Sequence, residues 1–240
     1  MISIIIPTLN EEKIIVSTIN KLKSALTIDH EIIVSDSLST DKTVELARKY
    51  ADKVVIFSGI GKLTISKIRN NGARAAVGDF FVFMDADCVI KDADNSLKKC
   101  LARFEKDKNL VAITGGLRVF PEFETRSDRI FFGLVNVVER FSNNVLHRGE
   151  AAGKFQMIRR EVFERLGGFR EDLVTREDSD MFLRLSKIGK TFFDSAITIF
   201  HGGRRAHAIG WPKLLFIWMM NTVWVSLFNK AKTEEWKPVR

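Results

Sequence analysis

The first hundred residues alternate between short apolar runs and amphipathic segments. Continuous apolar runs predict strands that are buried on both faces of a sheet, because such strands have no polar side. In the intervening segments, apolar residues such as Ile15 and Ile19 recur at helical spacing. Polar residues predict where these helices start: Asn10 for the first helix, and Ser39 or Thr40 for the second. Alternating strands and helices predict an α/β fold with a mainly parallel sheet flanked by helices. The predicted strands are residues 2–6, 32–35, 54–57 and 80–85.

The regular alternation of predicted strands and helices changes after Pro121. Up to that point, the pattern continues with a helix near residues 95–105 and a strand over 110–114. Because no repeat, low-complexity tract or linker interrupts the chain, a single domain with an elaborated second half is the simplest interpretation. The later predicted elements are a helix over 130–146, a strand over 153–158, a short helix over 160–166, a helix starting near Thr175, a strand over 197–201 and an apolar segment over 211–228.

The composition is that of an ordinary globular protein. With 240 residues, of which 45% are hydrophobic and 28% charged, the chain can bury a substantial core and is not expected to be disordered. Cys88 and Cys100 match no metal motif and predict free thiols in a reducing cytoplasm. The N-terminus has no basic region and no long apolar run, so no signal peptide is predicted.

The formal net charge of +8 favours anionic partners, such as nucleotide phosphates, anionic lipid or nucleic acid. The charge alone does not choose among these partners. No nucleic-acid-binding motif and no platform of interleaved aromatic and basic residues is visible, so nucleic acid is not an expected partner.

Polar clusters stand at the predicted ends of four strands. In an open parallel α/β sheet, ligands bind outside the carboxyl ends of the strands, so these clusters are expected to meet at one site. The clusters are residues 7–12, 36–41, 85–87 and the pair Gly115 and Gly116, of which Gly115 is a candidate substrate contact.

The stretch FFVFMDADCVI brings Asp85 and Asp87 to the end of a strand that is otherwise apolar. Residues i and i+2 of an extended segment face the same way, so the two carboxylates repel each other unless a cation bridges them. A hard divalent ion shared with substrate phosphates is the natural bridge. Solvated helix-capping aspartates are the alternative, which suits Asp92 and Asp94 better than Asp85.

Several motifs in a fixed order carry a family resemblance: PTLNEE, IIVSDSLSTDKT, KIRNNGARAAVGDFFVFMDADC, then GGF and REDSDMFLRL. In this order they resemble a family 2 glycosyltransferase with the Rossmann-like GT-A fold, from the first strand to about His201. The resemblance implies an inverting transferase that uses Mg²⁺ or Mn²⁺. It would move a sugar from a nucleotide-diphosphate sugar to an acceptor hydroxyl or lipid phosphate on a glycan or lipid-linked acceptor.

The resemblance also implies a division of the chain. Residues 1–205 are expected to form the GT-A domain, with a nucleotide-binding half over 1–115 and an acceptor half over 116–205. A C-terminal helical extension would follow over 206–240.

By this similarity, four residues would lie around the donor nucleotide: Pro7, Glu11, Asp36 and Arg69. Glu11 would lie near the ribose, Asp36 would hold the nucleobase, and Arg69 would lie near the base or the diphosphate. Family members often have an acid and a glycine where this chain has Ser37 and Leu38, so uracil and guanine both stay open. For Glu11, a favourable charge in the first turn of a helix is the alternative interpretation.

The same similarity assigns the metal and the base. Asp87 matches the principal metal ligand, with Asp85 in support. In the REDSDM motif, Asp178 matches the catalytic base, and Glu177 beside it would orient the base or contact the acceptor. A purely structural alternative is helix capping, with Thr175 as the N-cap residue and Asp178 as its partner.

The HGGRR motif could place His201 and Arg204 or Arg205 against the diphosphate, and His201 is also a candidate metal ligand. A basic surface loop is an equally good interpretation. Lys154 matches a position near the acceptor, although a solvated lysine is as good a reading.

The segment over residues 211–228 is apolar nearly all round, but it is more broken than a membrane span of about 20 apolar residues. Together with Lys213, Lys230 and Lys232, it predicts peripheral contact with an anionic membrane surface or a homodimer interface. Packing on the domain's own core is the alternative. The expected location is the cytoplasm or the inner face of the cell membrane.

Two other functions remain open on the sequence. A nucleotidyltransferase can share a related fold, but such an enzyme would carry a glycine-rich basic loop where PTLNEE stands. A catalytically silent nucleotide-sugar-binding subunit would lack the base or the metal acid, and both are present here.

Overall fold

The computed structural model describes residues 1–59 and 62–228, which build a mixed sheet of eight strands in the order β3-β2-β1-β4-β7-β6-β8-β5. The strands are β1 Ile2–Thr8, β2 His30–Asp36, β3 Lys53–Ile56, β4 Phe80–Met84, β5 Val89–Ile90, β6 Leu110–Val119, β7 Phe155–Arg159 and β8 Lys190–His201. The helices are α1 Ile15–Ala25, α2 Thr43–Tyr50, α3 Ile65–Ala75, α4 Ala93–Lys106, α5 Arg126–Asn144, α6 Arg160–Arg165, α7 Glu177–Leu185, α8 Arg204–Ile209 and α9 Trp211–Phe228.

The first half of the chain forms the parallel part of the sheet, as the sequence predicts. Strand β1 pairs in parallel with β2 and β4, and β2 pairs in parallel with β3. Thr8 at the end of β1 lies opposite Asp36 at the end of β2. The loops that follow these strands therefore start level with each other at one edge of the sheet.

The second half adds antiparallel strands. Strand β7 runs antiparallel to β4 and β6, while β8 is parallel to β6 and antiparallel to β5. The α/β class and the single domain are confirmed, and parallel pairing dominates the first half of the chain, as expected for a mainly parallel sheet.

The predicted end of β6 at Thr114 is wrong. The strand continues through Gly115 to Val119, with a register shift between Gly115 and Gly116 against β8. A Cβ atom at Gly115 would lie 2.8 Å from Cβ of Ile197, so close packing between strands explains this glycine. Gly115 thus lies inside a strand instead of ending one at the site.

Three predicted helix caps are also wrong. Helix α1 begins at Ile15, well after Asn10, and α2 begins at Thr43 without a side-chain cap from Ser39 or Thr40. Helix α7 is preceded by Arg176, whose φ of 64° lies in the left-handed region, so Thr175 is not its N-cap. These polar side chains instead belong to loops at the carboxyl edge of the sheet.

The core lies on both faces of the sheet. Ile4 and Ile6 of β1 belong to one buried cluster with α1 and α4, whereas Ile5 belongs to a second cluster with α3, α6 and α7. This alternation follows from the two-residue period of a strand. Both clusters hold the strand ends rigidly in place.

Helix α9 packs on the domain through one side along most of its length, since Asn221 is buried and Arg176 Nη1 donates a 2.8 Å hydrogen bond to Thr222 Oγ1. Trp211 and Leu214 are buried, and Trp211 Nε1 donates a 2.8 Å hydrogen bond to Asp128 of α5. Phe216, Met219 and Val223 are exposed. Across residues 1–59 and 62–228, no helix combines the length and the apolar character needed to cross a membrane.

Candidate active site

The loops that follow β1 and β2 are held together by hydrogen bonds between backbone and side chains. Thr40 N donates to Asn10 Oδ1 and Asn10 N donates to Ser39 Oγ, both at 2.7 Å. Glu11 N donates to Thr43 Oγ1, also at 2.7 Å. The two loops therefore form one rigid wall at the carboxyl edge of the sheet.

Asp36 lies inside this wall. It is fully buried, and its carboxylate accepts hydrogen bonds from Thr8 Oγ1 (2.8 Å), Ser39 N (2.7 Å) and Ser39 Oγ (2.6 Å). Direct contact with a nucleobase would require this turn to open, so in the present conformation Asp36 shapes the wall. Pro7 is likewise buried within β1, opposite Ser35.

The turn next to Asp36 carries the departure from the family pattern. Leu38 has a φ of 62°, in the left-handed region that glycine adopts without cost. The backbone thus keeps the conformation that suits a glycine, although a leucine occupies the position, and the leucine side chain is exposed.

Asp85 and Asp87 face each other across the ammonium group of Lys154. Lys154 Nζ lies 2.9 Å from Asp85 Oδ2 and 3.3 Å from Asp87 Oδ1. Burial by itself would lower the pKa of Lys154, but the two carboxylates raise it, so the ammonium stays charged. A cation therefore stands between the two carboxylates, but it is the ammonium group of Lys154 and not the divalent ion that the sequence predicted.

Arg204 adds a second cation to Asp87. Its Nη2 lies 3.0 Å from Asp87 Oδ2 and 3.4 Å from Glu11 Oε1. Burial would raise the pKa of Asp87, but the charges of Lys154 and Arg204 outweigh it and hold that pKa well below its usual value. Arg204 thus joins the β1 loop to the carboxylate pair.

The carboxylate pair fits a hard divalent ion. Within the described residues, Asp85, Asp87 and Cys88 form a group whose candidate ligand atoms lie within 4.8 Å of one another. Burial raises the pKa of the Cys88 thiol well above its usual value, so the thiol stays protonated and is a poor ligand. Two carboxylates are the donor set from which Mg²⁺ is typically held together with phosphate oxygens.

His201 lies outside this group of three residues, and its role as a metal ligand stays a prediction. Gly203 N donates a 3.1 Å hydrogen bond to His201 Nδ1, so the proton of the neutral ring is assigned to Nε2. Nε2 is buried without a hydrogen-bond partner among the described residues. Burial, followed by the charge of Lys154, lowers the pKa of His201 to about 4. In this tautomer Nε2 is a donor with no lone pair for a metal.

Arg69 connects the two halves of the chain. Its Nη1 donates to Glu177 Oε1 at 2.9 Å, and its Nη2 donates to the Gly153 carbonyl at 2.8 Å and lies 3.4 Å from Asp85 Oδ1. The guanidinium is 3% exposed. A buried arginine shared by three acceptors fixes the positions of all of them.

Asp178 lies in the first turn of α7, next to Glu177. The α-carbon of Gly153 is close by, since a Cβ built there would lie 3.0 Å from Asp178 Oδ2 and 2.7 Å from Arg69 Nη2. A carboxylate at a helix N-terminus is stabilised by the helix dipole. Asp178 therefore shares one small volume with Arg69, which also contacts Asp85.

Burial, together with the charge of Asp178, raises the pKa of Glu177 to about 8 against the opposing effect of Arg69. A carboxyl group whose pKa is raised by burial and by a neighbouring charge is typical of functional sites.

Sequence reasoning missed a second acidic pair behind Asp178. Glu139 of α5 is buried, and burial, followed by the charges of Glu150 and Asp178, raises its pKa well above the usual value. Glu150 accepts hydrogen bonds from Ser179 Oγ and Arg176. In the sequence, the signal for Glu139 was its position as a lone acid within an apolar helical run. No sequence pattern pointed to Glu150.

Comparisons with known proteins agree with this geometry. Residues 3–167 match the family model Glycosyl transferase family 2. The O-antigen chain rhamnosyltransferase WbaN of Salmonella anatum is 30% identical over 169 residues, which are 66% of this chain and 52% of that protein. The succinoglycan biosynthesis protein ExoA of Rhizobium meliloti is 28% identical over 194 residues, which are 78% of this chain and 58% of that protein. This chain thus spans little more than half the length of these two relatives.

Two solved structures share the fold. The mannosyltransferase PcManGT of Pyrobaculum calidifontis, in complex with GDP-Man and Mn²⁺, has a TM-score of 0.66 at 21% identity over 84% of this chain and 56% of its own. TarS 1–349 of S. aureus, in complex with UDP-GlcNAc, has a TM-score of 0.64 at 19% identity over 98% of this chain and 68% of its own. The fold is that of the GT-A glycosyltransferases. Because the family model matches most of the chain, the protein belongs to glycosyl transferase family 2.

Proposed function

We propose that this protein is an inverting, metal-dependent glycosyltransferase that moves a hexosyl-type sugar from a nucleotide-diphosphate sugar to an acceptor hydroxyl or lipid phosphate. The observation that carries the proposal is the position of Arg69, which contacts both Asp85 and Glu177, the neighbour of Asp178. A metal-binding carboxylate pair and a separate carboxylate for the acceptor thereby lie on either side of one buried cation.

In this proposal residues 1–115 bind the nucleotide, residues 116–205 form the acceptor side and residues 206–240 are a C-terminal extension. The wall formed by the β1 and β2 loops borders the nucleoside. Glu11 lies at its rim near the ribose, 3.4 Å from Arg204 Nη2, and Pro7 and Asp36 support the wall from within. The PcManGT complex contains GDP-Man and the TarS complex contains UDP-GlcNAc, so both guanine and uracil donors are compatible with the fold.

Asp85 and Asp87 would hold Mg²⁺ or Mn²⁺, which when bound neutralises charge on the departing diphosphate. Arg204 already contacts Asp87 and supplies a guanidinium for the same phosphate oxygens. His201 Nε2–H, a buried donor, is suited to a phosphate oxygen better than to the metal.

Asp178 accepts the proton of the acceptor hydroxyl as that oxygen attacks the anomeric carbon. The new bond to the acceptor forms on the face opposite the departing nucleoside diphosphate, so the configuration inverts. Arg69 holds Glu177, and thereby the first turn of α7, against the donor side. The backbone of Gly153 leaves room for the carboxylate to approach.

The acceptor is proposed to be a glycan or a lipid-linked saccharide. Two relatives are named for the O-antigen chain and for succinoglycan biosynthesis. These names support a cell-surface polysaccharide as the product class. Such an enzyme would work at the cytoplasmic face of the cell membrane, as a peripheral protein or a homodimer that uses α9. Lys213 lies at the start of α9, whereas Lys230 and Lys232 lie outside the described residues.

Thermal unfolding with nucleoside diphosphates tests the proposal. A ligand at about 100 times its Kd stabilises the native state by about 2.7 kcal/mol. We expect UDP or GDP to raise the melting temperature, and Mn²⁺ to enlarge the shift. No shift with any nucleotide would overturn the proposal, and nucleotide binding without transfer to any acceptor would support the silent-subunit alternative.

A further inference from the structure

Helix α5 presents an apolar face to solvent that the proposed chemistry does not use. Five large apolar side chains of the helix and two directly after it are each 51–64% exposed. These residues are Ile130, Leu134, Val137, Val138, Phe141, Val145 and Leu146. The largest apolar patch on a monomeric protein is often functional.

The row is a true helical stripe. At about 100° per residue, Ile130, Leu134 and Phe141 fall on one side of the helix. The residues buried by the domain, such as Phe132 and Asn143, fall on the opposite side. The helix therefore packs on the sheet through one face and carries its apolar stripe on the other.

The exposed charges of α5 itself all have the same sign. Arg126, Arg129 and Arg140 are exposed and lie along one border of the stripe, and Arg129 also pairs with Glu124. Both acids of the helix, Asp128 and Glu139, are buried. An apolar face bordered by arginines alone is complementary to a surface that is apolar inside and anionic outside.

We infer that the exposed face of α5 lies in the surface of an anionic membrane, with the helix axis parallel to that surface. The occupant is the lipid surface and not a second copy. A stripe about 28 Å long and about 10 Å wide covers roughly 300 Å², well below the roughly 800 Å² per partner of a standard interface. A second copy would also bring the same arginines without an exposed acid on α5 to pair with them.

The helix is tied directly to the candidate active site. Asn143 Nδ2 donates a 2.6 Å hydrogen bond to the Glu150 carbonyl, and Asn143 Oδ1 accepts from Glu150 N at 3.4 Å. The Glu150 carboxylate in turn accepts a hydrogen bond from Ser179, next to Asp178. If the proposed transferase function holds, on which this use of the surface rests, the membrane would present a lipid-linked acceptor beside the base.

Vesicle flotation tests the inference without any donor or acceptor, so its failure is separate from failure of the transferase proposal. The protein is mixed with phosphatidylcholine vesicles with and without phosphatidylglycerol. We expect flotation with the anionic vesicles and a decrease as salt is raised, because exposed charges are screened. The double variant Leu134→Glu/Phe141→Glu should lower the partition coefficient by at least about tenfold, since each apolar side chain accounts for on the order of a factor of ten.

Two further variants make the assignment specific. Arg126→Gln/Arg140→Gln should weaken binding to anionic vesicles without changing the melting temperature. Phe216→Glu, which changes one exposed apolar side chain of α9, should lower the binding less than Leu134→Glu/Phe141→Glu does. The inference is overturned if the parent protein ignores anionic vesicles, or if Phe216→Glu abolishes flotation while Leu134→Glu/Phe141→Glu does not. A parent dimer in light scattering that the α5 variant dissociates would also overturn it, in favour of a second copy.

Discussion

Lys154 places its ammonium group 2.9 Å from Asp85 and at the same time 3.3 Å from Asp87, between the two carboxylates that are suited to a metal ion. The lysine thereby relieves the repulsion between like charges that the pair would otherwise suffer. A divalent ion that binds there must displace this ammonium. The contact is therefore a competitor of the metal as well as a stabiliser of the protein without it.

Replacing Lys154 by methionine should strengthen Mn²⁺ binding at least about tenfold. A tenfold change corresponds to about 1.4 kcal/mol, less than the roughly 4 kcal/mol between unit charges 4 Å apart at an effective dielectric constant of 20. Titration calorimetry with Mn²⁺ measures the affinity directly. The exposed Lys99→Met variant removes the same charge from α4 and should leave the affinity unchanged, and an equal or weaker affinity in Lys154→Met would contradict the competition.

Asp87→Asn should abolish the Mn²⁺-dependent part of nucleotide binding. Asparagine retains the shape of the side chain but loses the charge that a hard cation needs. Thermal shift with UDP and GDP, with and without Mn²⁺, is the measurement. Asp92→Asn is the matched control, because Asp92 has a φ of 47°, which asparagine tolerates, and accepts a hydrogen bond from Asn95 outside the site. Equal losses in the two variants would mean that the wrong aspartate pair was chosen.

Asp178→Asn should lower turnover by about 10²–10⁴-fold while leaving nucleotide affinity nearly unchanged, because general base assistance contributes that range. Initial rates of sugar transfer at saturating donor give the value. Asp180→Asn is the control within the same helix. Its carboxylate pairs with Arg184 at 2.7 Å, so we expect a lower melting temperature but near-normal turnover. Normal transfer by Asp178→Asn would move the base to another residue.

The stability of the protein should depend on His201 between about pH 6.5 and pH 4. Its pKa is about 4 in the folded protein, below the ordinary 6.5, so only the unfolded chain binds the proton in this window. The protonation of His201 therefore does not affect the free energy of unfolding above pH 6.5. On acidification the free energy of unfolding falls by about 1.4 kcal/mol per pH unit, and the fall levels off below pH 4.

Urea unfolding across this pH range measures the effect. His201→Gln should show a shallower loss of unfolding free energy on acidification than the parent protein. His147→Asn, at an exposed position with a φ of 53°, should keep the parent slope. An unchanged slope in His201→Gln would mean that the buried imidazole does not control this pH dependence.

The strands of the first half could be predicted because each is a short apolar run that ends in polar residues. The convergence of the polar loops after β1, β2 and β4 at one edge followed from the parallel order of those strands, whereas Arg69 was assigned by the family resemblance. Loop chemistry could not be predicted in the same way. Asn10 and Ser39 are residue types that are common at helix N-caps. In the structure Asn10 N instead donates a hydrogen bond to Ser39 Oγ, and a contact between residues 29 positions apart leaves no local pattern in the sequence.

The second half was harder for a related reason. Strand β8 begins at Lys190, whereas the apolar pattern indicated residue 197, because Asp194 and Ser195 interrupt the run at a register shift. The role of Glu150 depends on Ser179 and Arg176, which are distant in sequence. Contacts of this kind are set by tertiary packing and become visible only in three dimensions.

Gly153 has a consequence for redesign of the acceptor preference. A methyl group at this position would lie 2.7 Å from the Arg69 guanidinium and 3.0 Å from the Asp178 carboxylate, so even alanine would push them apart. In the proposed transferase, a narrower acceptor pocket built from this side would therefore lower the rate of transfer. In the proposed transferase, libraries that aim at a new acceptor have more freedom at an exposed position such as Arg148, where a new side chain displaces neither Arg69 nor Asp178.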